Sequence, residues 1–172
     1  MSKMPKACFF LQRKFAYLGH AMALTFKKKY GVDKFCGYVH LRSSLKFLQD
    51  QKEIYYTKLL LDEDIHKQYK NEPLNLEYLK HLEKEYGLPN LWPYIEIDRT
   101  VRYNQAVREY PYNTPKYTHE EMMRILQVKA KAIIKFLNDE KPDFLILSVI
   151  GSISIMFLYH VARKMGIRTF LI

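Results

Sequence analysis

Three short clusters in this 172-residue sequence carry side chains suited to chemistry. The first is Gln12, Arg13 and Lys14, followed by Gly19-His20, just after the apolar run Lys6–Leu11. The second is His40, Arg42, Ser43 and Ser44, at the end of Lys34–His40. The third is Ser148, Gly151 and Ser152, inside the apolar stretch Phe144–Tyr159. Each follows a segment that reads as a strand, and open parallel sheets bind ligands beyond the C-terminal ends of their strands. His20 opens a helix. The positive helix end lowers an imidazole's pKa and leaves a neutral base. The plainer alternative is a histidine on an amphipathic helix making one local contact. Gly151-Ser152 also opens a helix, where backbone N–H groups can hold an anion; tight packing explains the glycine equally well. Neither GxGxxG nor a Walker loop is present, and Ser148 is not in a GxSxG elbow, which argues against a hydrolase nucleophile.

Two further groups invite a functional reading. Glu96 and Asp98 flank Ile97 and can offer carboxylates to a cation, but Arg99 and Arg102 stand ready to pair with them, so no metal site is expected. Trp92, Tyr94, Tyr103, Tyr110, Tyr112 and Tyr117 can stack on sugars or bases, or form a small satellite core that pins their segment down.

The elements that must position these residues follow from hydrophobic period and punctuation. Lys6–Leu11 reads as a buried strand. Tyr17–Tyr30 reads as a helix with Leu18, Ala21, Met22, Leu24 and Phe26 on one face, Lys27–Lys29 at its negative end and Gly31 as its stop. Lys34–His40 is a second strand, Leu41–Gln51 a helix and Ile54–Leu61 a third strand. This alternation with short connections predicts a parallel sheet covered by helices.

The middle breaks the rhythm. Residues 62–117 read as an insertion, with surface helices over Asp64–Asn71 and Asn75–Tyr86 and then a Tyr- and Pro-rich irregular stretch from Leu88. Segments of that length inside a domain are usually functional. Thr118 with Glu121 makes a capping box for a long helix over His119–Asn138, whose stripe is Met122, Ile125, Leu126, Lys129, Ile133 and Phe136. Phe144–Ile150 is a strand, Ile153–Lys164 a helix, and Arg168–Ile172 begins another strand. A chain ending inside an apolar strand is expected to be incomplete.

Composition bounds the function. The length suits one domain, able to bury roughly 70% of its unfolded surface without a disulfide or metal staple. Hydrophobic residues make up 48%, too many for a disordered chain. Two cysteines without CxxC spacing exclude a disulfide framework and a structural zinc site. The net charge of +10 suits an anionic partner or plain solubility. No signal peptide opens the chain, and Phe144–Tyr159, broken at Gly151, is too short for a spanning helix.

The run Lys141-Pro142-Asp143-Phe144, the strand to Ser148, Gly151-Ser152, and Ala162 through Thr169 together resemble a recurring piece of two-domain (GT-B type) glycosyltransferases. The opening strand, Gly19-His20 and the helix ending Lys29-Tyr30-Gly31 resemble it too. The Tyr- and Pro-rich middle is most similar to capsule and surface polysaccharide biosynthesis proteins. The resemblance implies a Rossmann-like, acceptor-side N-terminal domain, expected in the cytoplasm, and the basic residues with the amphipathic first helix permit loose attachment at the inner membrane face. Its implied partners are a nucleotide-sugar donor and a glycan or lipid-linked acceptor, with no cofactor, no metal and no nucleic acid. It implies His20 as catalytic base and Gly151 and Ser152 at the cleft-facing turn, while the strand-end rule, not the resemblance, adds Arg13, Lys14, Gly19 and Ser148 as substrate-binding residues. Two rival expectations stand beside it: a non-enzymatic Rossmann- or flavodoxin-like binding module, and a basic nucleic-acid-binding domain.

Overall fold

A computed structural model describes residues 4–104, 115–148 and 151–172. Five parallel strands form one sheet: β1 (Lys6–Leu11), β2 (Lys34–Val39), β3 (Tyr56–Leu61), β4 (Phe144–Leu147) and β5 (Arg168–Leu171), in the order β3-β2-β1-β4-β5. Helices cover both faces, as a parallel sheet requires, and the fold is α/β and Rossmann-like. Strand alternation sorts the core. Ala7, Phe9 and Leu11 of β1 face one layer, with α1 (Phe15–Tyr30) and α2 (Arg42–Asp50). Cys8 and Phe10 face the other, with α7 (His119–Glu140) and α8 (Ile153–Lys164). Among the described residues no helix is long and apolar enough to cross a membrane.

The chain reverses direction across the sheet once. It steps from β1 outward to β2 and β3, then returns over α7 to place β4 on the other side of β1. That topology puts the switch point between the ends of β1 and β4. The region between β3 and α7 is helical for much of its length: α3 (Asp62–Lys67), a 3₁₀ turn (Gln68–Lys70), α4 (Leu76–Tyr86), α5 (Trp92–Glu96) and α6 (Arg99–Tyr103). α7 starts where the sequence predicts, with the Thr118–Glu121 capping box formed, and extends two residues further, to Glu140. Glu140 pairs with Lys6 and accepts from Thr57, while the Asp143 carboxylate accepts from the Lys6 N–H at 2.7 Å. These contacts seat the end of α7 against the start of β1.

The shortfalls are at element ends. β2 stops at Val39, where His40 turns into the cleft described below, and β4 at Leu147; residues 149 and 150 lie outside the described residues. β5 is an edge strand whose Phe170 and Leu171 stand exposed.

Gly19 is set by packing. A Cβ there would come within 2.5 Å of a Leu11 methyl, and one at Gly37 within 2.7 Å of the other methyl. Leu11 is fully buried between the two glycines, so it has little room to yield. Gly19→Ala is therefore expected to lower stability by about 1–3 kcal/mol, read as a lower urea midpoint at unchanged slope.

Candidate functional site

A cleft of about 990 Å³ opens over the C-terminal ends of the strands. Its floor is a buried polar network. Asp62, the first residue of α3, and Lys129, in the middle of α7, are only 5% and 2% exposed. Ions this dry must be paired. Lys129 Nζ donates to both Asp62 oxygens, at 2.9 and 2.8 Å. Tyr38 Oη donates to Asp62 Oδ1 at 2.6 Å, and Ser154 Oγ donates to the same oxygen. Burial alone would raise the Asp62 pKa; the Lys129 ammonium and the hydrogen bonds outweigh it and hold the carboxyl well below the usual range. Burial, then the Asp62 charge, pushes the Tyr38 phenol well up, so it stays a donor.

The walls come from five elements. The β1–α1 turn supplies Gln12, Arg13 and Lys14; the end of β2 supplies His40; α3 and its 3₁₀ turn supply His66, Lys67 and Lys70; α6 supplies Arg99; and Gly151-Ser152 opens α8. Lys116 and Tyr117, just before α7, complete the lining. Across the switch point, Gln12 Nε2 donates to Ser148 Oγ at 2.9 Å, tying the end of β1 to the end of β4. His66 Nε2 lies 2.9 Å from Tyr117 Oη. Burial, then Lys129, lowers His66 to about 4. Burial first also lowers His40, with Lys129 and Arg13 reinforcing it against Asp62 and Asp98.

The cleft is cationic. Arg13, Lys14, Lys67, Lys70, Arg99 and Lys116 line it and are exposed. Of the three acids in the lining, Asp62 is spent on Lys129. Asp98 is spent on two helix ends: its Oδ1 accepts from Val101 N–H at 3.1 Å, capping α6, and its Oδ2 from Ile153 N–H at 3.2 Å, at the start of α8. Glu63 remains, beside Arg42.

The sequence-predicted residues divide. Arg13, Lys14, Gly151 and Ser152 line the cleft. Ser148 is buried and acts through Gln12. Gly151 has open space where a Cβ would project, so packing does not demand glycine there. The anion position expected at the α8 N-terminus is taken by the chain's own Asp98. Gly19 and His20 do not line the cleft. Gly19 serves the contact of α1 with Leu11. His20 is buried against α2 and β3, its ring edge-on to Phe47 at 5.5 Å and its Nδ1 3.4 Å from the hydroxyl of Tyr56, which opens β3. α1 runs back along the sheet, so its second turn has already left the strand ends.

Other predicted groups find ordinary partners. Glu96 pairs with Arg102 at 2.9 Å and accepts from Tyr103 at 3.0 Å. Among the described residues no group of three or more His, Cys, Asp or Glu is placed to hold a metal. Tyr94 and Tyr117 are buried in the core, and Trp92 stacks on His119 at 4.8 Å. Tyr110 and Tyr112 lie outside the described residues. Sequence reasoning passed over Asp62 and Lys129. The signal for Lys129 was a lysine inside an otherwise apolar helical stripe. Asp62 left none, because an acid opening a helix is commonplace.

Comparison with protein-family models, with curated proteins and with solved structures gives no match to this chain.

His20→Ala is expected to leave ligand binding at the cleft unchanged while lowering stability by about 1–3 kcal/mol; calorimetric titration beside a urea melt checks both. His20, His40, His66 and His160 are all lowered in the fold, chiefly by burial. The unfolded chain therefore takes up protons that the folded chain refuses. Stability is expected to be full above about 6.5, the ordinary value, and to fall as pH drops toward the His66 value of about 4. Urea midpoints measured across that range test the sign.

Proposed function

We propose that this chain is the acceptor-side, Rossmann-like domain of a glycosyltransferase of capsular or surface polysaccharide synthesis, and that its cleft receives a phosphate-bearing ligand. The observation that carries the reading is the ring of six exposed cations around a cleft at the switch point of a parallel sheet. Cations around a concave, low-dielectric site focus positive potential on a phosphate or diphosphate. The polysaccharide context rests on the resemblance of the two ends of the chain to GT-B enzymes.

In this reading a sugar passes from a nucleotide donor to an acceptor hydroxyl. The acceptor's oxygen bonds to the anomeric carbon, the bond from that carbon to the diphosphate breaks, and the hydroxyl proton leaves to a base. This chain's part is to position. Arg13, Lys14 and Arg99 face the phosphate-bearing group, and the Asp62–Lys129 floor fixes the elements that carry them. The geometry argues against His20 as the base, since it does not line the cleft.

Uridine diphosphate glucose and a single-stranded oligonucleotide, titrated separately into the protein at two salt concentrations, test the reading. The sugar nucleotide is expected to bind saturably, and the double variant Lys67→Glu/Lys70→Glu to weaken it about tenfold. Both lysines are exposed, so the fold should be unaffected. Binding of the oligonucleotide alone, with a steep salt slope, would establish a nucleic-acid module instead. Binding of neither would remove the cleft as an anion site.

A further inference from the structure

Arg13 has a backbone φ of 42°. Among the described residues, the other non-glycine positions in this left-handed region are Asn104 and Lys141, and both are helix C-caps, where that conformation is ordinary. Arg13 has no such reason. It sits between the end of β1 and the start of α1, at the switch point, where an L side chain adopts positive φ at a steric cost. The surrounding turn is heavily braced. Leu11 O accepts from His40 N–H at 3.0 Å, Gln12 O from Phe15 N–H at 2.8 Å, and Gln12 Nε2 donates to Ser148 at 2.9 Å. Ser44 Oγ reaches Arg13 O at 3.4 Å. Strain held in place by over-determined surroundings concentrates at functional sites.

The brace that holds Arg13 also brings His40 beside it, since the His40 N–H is one of its bonds. The His40 ring lines the cleft and meets Phe10 edge-on at 6.5 Å. Its Nδ1 is buried and has no hydrogen-bond partner among the described residues, as is true of Ser152 Oγ, also in the cleft lining, and a buried polar atom left unpaired calls for a partner. Glycine would relieve the turn, but it would remove the guanidinium, whose planar fork suits phosphate oxygens.

We propose that Arg13 and His40 form a two-point recognition site for a phosphate ester that carries free hydroxyls, with Arg13 holding the phosphate and His40 a hydroxyl. The proposal rests on the reading of this cleft as the ligand site. It separates the two contacts by chemistry, so each variant should lose a different probe.

The test titrates the protein with glucose 1-phosphate, inorganic phosphate and glucose by calorimetry, with urea melts of every variant. The wild-type chain is expected to bind glucose 1-phosphate at least tenfold more tightly than either fragment. Arg13→Gly should raise the urea midpoint while weakening both phosphate-bearing probes at least tenfold. His40→Ala should weaken glucose 1-phosphate to the level of phosphate and leave phosphate within twofold. Should His40→Ala fail to fold, His40→Phe keeps the ring packed on Phe10 and gives the same readout. If the wild-type chain binds none of the probes, the pair and the cleft reading both fall. If it binds glucose 1-phosphate and either variant keeps that affinity, the pair falls and the cleft stands. An Arg13→Gly chain that melts earlier would also overturn the claim of strain kept for function.

Discussion

A lysine on the buried face of a long amphipathic helix must find an anion or unfold its surroundings. Lys129 finds Asp62, and everything at the mouth of the sheet follows from that meeting. The pair joins α7 to α3 directly, and through Tyr38 and Ser154 it reaches β2 and α8. Four elements from distant parts of the chain are thus fixed at one point, just beneath the strand ends. Replacing such a pair by well-packed apolar residues is often neutral, whereas stranding one partner costs about 3–5 kcal/mol. The pair is therefore poor evidence of extra stability and good evidence of specified geometry. It holds the segment after β3 in one position relative to the sheet.

With that floor in place, the cleft's charge follows from which groups are already spent. Asp62 is neutralised by Lys129. Asp98 is committed to the N-terminal ends of α6 and α8, which anchors the α5–α6 segment along one wall. The exposed basic residues are left with little to balance them, so the cleft carries a positive surplus that the sequence's overall charge only hints at. The turn after β1 sits opposite, braced from β2, α2 and β4 at once. A turn so constrained can keep an arginine where glycine would sit more easily.

The sheet was readable from sequence because its strands are short apolar runs and its helices have clear stops. Lys6–Leu11, Gly31 and the Thr118 capping box each carry a local physical signal, and each behaves as that signal requires. The site was readable only in part. Arg13, Lys14, Gly151 and Ser152 follow strands, and topology alone brings them together. His20 shares their neighbourhood in sequence but not in space, because one turn of helix carries a side chain away from the strand ends. Asp62, Lys129 and Asp98 matter through long-range pairings, and no local pattern encodes a partner 55 or 67 residues away. A lysine within an apolar stripe was the trace of that pairing, and it is equally what a lysine at the margin of the stripe would leave.

The measurement that bears most directly on this organisation is a double-mutant cycle on the buried pair, with Lys129→Met, Asp62→Leu and the double variant followed by urea unfolding. If the pair fixes the cleft floor, each single variant loses about 3–5 kcal/mol by stranding a buried charge, and the double variant recovers most of that loss. Losses that simply add would contradict it, since the two residues would then act independently and the floor would need another explanation.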